Sequence, residues 1–232
     1  MEIFKLLSLS FGVQADFSKI YNNLTQNSAN MNRVLKIMEM NSTQTLFLNK
    51  GQESELIFIL FNQPNRNTNF SFQKHAITYN EQLPIPEEIT LNDVIAKIEN
   101  NCSKILELLK NEKIQFISSP FLHIEFVYKD QEKNYSELLI KHTLPKINLE
   151  NSKLVKSTLG YTITKKLGSI DNNYVQEILI EHWIKNKEFL FVSSTTQWNI
   201  IEYQYKDLSF FKEWVKEIFT SANDTIKKLE EE

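Results

Sequence analysis

The feature that most restricts the fold is an apolar stripe. Leu91, Val94, Ile95, Ile98, Cys102, Ile105 and Leu109 recur at helical spacing, while Glu99, Lys104 and Lys110 fall outside the stripe. A helix of this kind must bury one face. Thr90 with Asp93 three residues on is a capping-box pair that starts it. Ahead of it, SELIFILFN reads as a strand covered on both faces, QPNRNTN as a turn and FSFQKHAITYN as a second strand. Residues 54–109 thus form a strand–strand–helix unit around which the chain is expected to be organised.

The remaining segments supply more strands and a second long helix. Leu7, Leu9 and Phe11 alternate with serines, so Ile3 to Val13 reads as a half-buried strand. Asp16 caps a short helix with Phe17, Ile20, Tyr21 and Leu24 on one side. Residues 25–33 are Asn-rich and read as a loop, and Val34 to Met40 and Thr43 to Leu48 as two strands. FLHIEFVY after Pro120 is a strand with Tyr135 to Thr143 as its expected partner. A meander follows over 159–167, 174–185 and 188–196. In the final helix Leu208, Phe211, Val215, Ile218, Ala222 and Leu229 make the buried stripe.

The expected fold class is α+β, a two-layer arrangement of antiparallel sheet or sheets covered by two long amphipathic helices. Strand–strand–helix occurs at 54–109 and again at 174–229, which raises pseudo-duplicated halves as an expectation. The halves would be 1–145, ending with the strands after helix 91–110, and 146–232, the meander with the terminal helix. They are expected to form one compact unit.

The same element order resembles the sporadically distributed family of uncharacterised bacterial proteins. The likeness lies in the strand Phe4 to Val13 with its following helix, the paired strands ending in HAITYNE, helix 91–110 and the closing FFKEWVKEIFTSANDTIKKL. The resemblance implies a bacterial gene of patchy distribution, mobile and defence-associated, and brings no catalytic residues with it.

Composition narrows the functional classes. The net charge is −3, with Lys dispersed among acids and only Arg33 and Arg66 as arginines, which disfavours nucleic acid. The single cysteine, Cys102, sits in the apolar stripe and reads as core; the chain has no disulfide partner for it, which suits a reducing cytoplasm. No run reaches the roughly 18 apolar residues of a membrane span, and the start reads as a strand rather than a signal peptide. Gly12, Gly51, Gly160 and Gly168 are isolated, so no phosphate-binding loop is expected. No cofactor or metal is expected either.

Two clusters remain as candidate sites. His123 and Glu125 project from one face of their strand, and if 121–129 pairs with 137–143, His142 would join them, enough to divide acid and base roles or bind zinc. Of the pair Glu181 and His182, at most one can join, because neighbours point to opposite faces. Trp183, Trp198, Tyr203, Tyr205, Phe210 and Trp214 crowd the last fifty residues. They serve either the core of the terminal helix or a protein interface, with single-strand stacking as a further use. The leading expectation is a non-enzymatic protein-binding accessory component, acting on a protein partner or as a homo-oligomer. A His123/Glu125/His142 enzyme and a single-strand nucleic-acid binder are the alternatives.

Overall fold

The structure is a computed structural model that describes residues 3–50, 53–129, 139, 158–166, 173–183 and 189–231. The elements run β1 (Ile3–Gln14), α1 (Ser18–Gln26), α2 (Ser28–Ile37), β2 (Ser42–Lys50), β3 (Glu53–Phe61), β4 (Thr68–Phe72), β5 (Ala76–Glu88) and α3 (Leu91–Asn111). They continue with β6 (Phe116–Lys129), β7 (Thr158–Lys166), β8 (Asn173–His182), β9 (Leu190–Trp198), β10 (Tyr203–Gln204) and α4 (Phe210–Glu231). The fold is α+β: a large antiparallel sheet and, among the described residues, four helices.

Strands from both ends of the chain share one ten-stranded sheet in the order β2-β3-β4-β5-β1-β6-β9-β8-β7, with β10 beside the start of β6. The 54–109 unit is therefore not its centre. That place belongs to β1 and β6, which pair with each other and are flanked by β5 and β9. Gly12 allows the close approach of β1 to β5, since a Cβ there would lie 2.4 Å from the Ile77 carbonyl oxygen. The alternation in β1 is broken by a bulge between Leu6 and Ser8, so the buried positions are Leu6, Leu9 and Phe11 rather than Leu7.

The helices meet side chains of a single sheet face. Phe17, just ahead of α1, packs on Phe72, and Tyr21 of α1 on Phe58. Phe211 of α4 packs on Phe11, and Phe219 stacks on Phe126 at 4.7 Å between ring centroids. From α3, Lys97 pairs at 2.7 Å with the buried Glu81, which also accepts from the Tyr79 hydroxyl. The α3 stripe is buried as its spacing requires, and the Thr90–Asp93 capping box is present in both directions. Cys102 is buried within that stripe, and burial pushes its thiol pKa up.

Three sequence expectations are corrected. Residues 28–37 are helical, so the loop expected over 25–33 is largely helix and the strand expected over Val34 to Met40 is replaced by the end of α2. Asn27 caps the helix by accepting from the Ala29 amide, and Met31, Val34 and Met38 share its buried side. Strand β3 is not covered equally on both faces: Phe58 and Leu60 are buried, whereas Ile57 and Ile59 are half-buried. Strand 121–129 cannot take 137–143 as a neighbour, because β1 and β9 occupy its two edges. Of that expected partner strand only Leu139 is described; it is helical and buried.

Candidate functional site

The sheet face away from the helices carries short polar side chains. Strand registers align them in a row that crosses most of the sheet: Asn69, Asn80, Ser10, His123, Thr195, Glu177 and Thr162. The period of two puts every second residue of each strand on this face, and the intervening residues form the core. Ser10 donates to Asn80 at 2.9 Å, and Asn80 donates to Asn69 at 3.2 Å.

At the middle of the row sits a chain of four groups. His123 Nδ1 lies 2.9 Å from Thr195 Oγ1, and His123 Nε2 lies 3.4 Å from Glu125 Oε1. Ser8 donates to the other carboxylate oxygen of Glu125 at 2.8 Å. The His123 hydrogen bond holds the Glu125 carboxyl below the usual carboxylate range. Partial burial opposes this, and Ser8 adds to it. A neutral ring that donates Nε2–H to Glu125 presents the Nδ1 lone pair to the Thr195 hydroxyl, the arrangement needed for a base beside a hydroxyl.

Open depressions flank the chain. One of about 490 Å³ is lined by Gly160, Thr162, Glu177, Leu179, Ser193 and Thr195. The other, about 320 Å³, is lined by Ser8, Gln82, Leu83, Pro84, Glu125 and Trp183. Trp183, also packed edge-on against Phe189, is thus brought beside Glu125, which neither side chain's place in the sequence reveals. A wider cleft of about 750 Å³ lies where chain connections meet and includes Asp16, Glu112, Phe116 and Ile201. Two of its acids are engaged, Asp16 by the Ser18 amide and Glu112 by Arg33.

The other candidate residues separate. His142 lies outside the described residues, and the strand pairing that would have brought it to His123 does not exist. Glu181 is buried in β8 opposite Thr158, two positions along from Leu179. Among the described residues, no group of three His, Cys, Asp or Glu could hold a metal ion. Trp198 and Trp214 are fully buried and Phe210 nearly so. Trp198 packs on Tyr203 and Phe210, and Trp214 on Tyr174 and Phe210. Tyr205 is half-buried and donates to the Ile114 carbonyl at 2.6 Å. This cluster anchors α4 to β8 and β9, so Trp198, Phe210 and Trp214 have no face to offer to a partner or to a nucleic-acid base.

Exposed apolar groups occur elsewhere. Strand β2 is one end of the sheet, and on it Leu46 is 43% and Phe47 76% exposed. Among the described residues, no helix is long and apolar enough to cross a membrane. No family model, no curated protein and no solved structure matches the chain.

Proposed function

We propose that this chain is a non-enzymatic, protein-binding accessory component that engages its partner through the edge of strand β2. The observation that carries this reading is the character of that edge. From Ser42 to Asn49 it has no charge and no proline, its register with β3 is unbroken, and it exposes Leu46 and Phe47. Exposed edges normally carry charges, prolines or bulges against strand addition, and an edge lacking them is suited to accept another strand. The test is co-purification from the native host with wild-type protein and with Thr45→Pro. A stoichiometric protein held by the wild type and lost from the folded variant supports the reading; equal behaviour of the two overturns it.

Two related halves, divided after α3 rather than at residue 145, fit this reading. In each, an opening strand pairs with the last long strand of a meander, β1 with β5 and β6 with β9, and a long helix follows. The opening strands join the halves, and α3 packs against α4. Strands β3, β4 and β5 then correspond to β7, β8 and β9, and β2 has no counterpart among the described residues.

A second reading rests on the Thr195–His123–Glu125 chain: acid–base chemistry with His123 as base and Glu125 orienting it. Turnover of an activated ester that persists unchanged in His123→Ala would remove it.

A further inference from the structure

We infer that the occupant of the β2 edge is β2 of a second copy, paired antiparallel across a two-fold axis centred on Leu46. This inference rests on the reading of β2 as a protein-binding edge and names its partner.

The hydrogen-bonding side of each β2 residue follows from Tyr21. The Tyr21 hydroxyl donates to the Leu56 carbonyl and accepts from the Leu56 amide, at 2.8 and 2.9 Å. In an antiparallel strand the N–H and C=O of one residue point to the same side. Both Leu56 groups are directed toward Tyr21, so they are directed away from β2. Phe47, the register partner of Leu56, therefore receives no ladder bonds from it and turns its own N–H and C=O to the free edge. The same holds at every second residue: Thr43, Thr45, Phe47 and Asn49 carry the outward groups.

A two-fold centred on Leu46 matches these groups to themselves. Thr45 faces Phe47 of the copy, Thr43 faces Asn49, and each such pair can exchange two ladder bonds. Leu46 meets its own copy in a narrow, non-hydrogen-bonded pair. The only charge on the strand, Lys50, falls opposite Ser42, so no like charges oppose one another. Pairing β2 with the other end of the sheet, β7, is the competing arrangement. It would leave a β2 edge unpaired at one end of every assembly and build an open filament, whereas the isologous pair uses both β2 edges and closes.

The test is light scattering across a concentration series on the full chain. The expected result is a dimer of the 27.4 kDa chain whose dissociation constant rises at least tenfold in Thr45→Pro. That proline removes an outward N–H and no β2–β3 bond, so an unchanged circular dichroism spectrum checks the fold. Register is read by mild oxidation. Leu46→Cys should cross-link to itself and Thr43→Cys should not, with Cys102 buried and silent. A monomer throughout, or a dimer indifferent to Thr45→Pro, overturns the inference. If the monomer nevertheless holds a different protein that Thr45→Pro releases, only the second copy is wrong and the protein-binding reading stands.

Discussion

The side chain of Tyr21 acts as a one-residue substitute for a missing strand: its hydroxyl bonds both the amide and the carbonyl of Leu56. Strand β4 pairs with β3 only from Phe58 to Phe61, so Leu56 lies beyond the reach of that neighbour. A buried backbone group without a partner is costly, and α1 supplies the partner through Tyr21. Burial in this position pushes the phenol pKa up. Tyr21→Phe is expected to lose about 1–3 kcal/mol of stability, the cost of unmet backbone groups. Urea unfolding measures this, and faster hydrogen exchange at the Leu56 amide would place the loss at this contact.

The Lys97–Glu81 pair ties α3 to β5. Glu81 is nearly buried, held by Lys97 at 2.7 Å and by the Tyr79 hydroxyl at 3.2 Å. Lys97→Met leaves the carboxylate without its cation and should cost about 1.5–3 kcal/mol, as for hydrogen bonds to charged groups. Adding Glu81→Gln should restore part of the loss. Two substitutions whose effects simply add would show that the pair does not couple.

Acid should act on the chain that joins Thr195, His123, Glu125 and Ser8. Glu125 is held below its ordinary pKa by His123, so its folded value lies under the unfolded value of about 4.3. Its stabilisation is complete above that unfolded value and is lost as pH falls through the folded one. In Glu125→Gln the acid limb of a plot of unfolding midpoint against pH should be shallower than in wild type. Parallel limbs would mean that the carboxylate contributes nothing.

Gly12→Ala tests the join between β1 and β5. The added methyl would lie 2.4 Å from the Ile77 carbonyl oxygen and 2.9 Å from Thr78 Cα, both backbone atoms. Neither can swing aside, so a loss of about 2–3 kcal/mol is expected, at the upper end of ordinary substitutions. Thermal denaturation reads it directly. A melting temperature within a degree of wild type would show that the strands separate without cost.

What could be read along the chain was local. The α3 stripe, the Thr90–Asp93 capping box, the buried run Leu208, Phe211, Val215, Ile218 and Ala222 and the order of β7, β8 and β9 all depend on residues a few positions apart. The segment Val34 to Met40 is ambiguous by itself, because Leu35 and Ile37 alternate with Lys36 as in a strand while Val34 and Met38 also keep helical spacing. Asn27 as a cap, with Met31, Val34 and Met38 at helical spacing, was the signal that decided it. The aromatic crowd of the last fifty residues was visible, but its burial was not. Whether Trp198 and Trp214 face solvent depends on where α4 lands relative to β8 and β9.

By itself, then, the sequence determined which segments become strands and helices over most of the chain, and which face of each is apolar. It placed His123 and Glu125 on one face, since a strand repeats every two residues. Only the tertiary structure decided that β1 and β6 form the centre, that Thr195 and Ser8 complete the hydrogen-bonded chain with His123 and Glu125, and that β2 is left at an edge. Strand neighbours are chosen by pairing between residues up to a hundred or more positions apart, as with Ser8 and Glu125. Periodicity records the orientation of a side chain relative to its own strand and carries no information about the strand beside it.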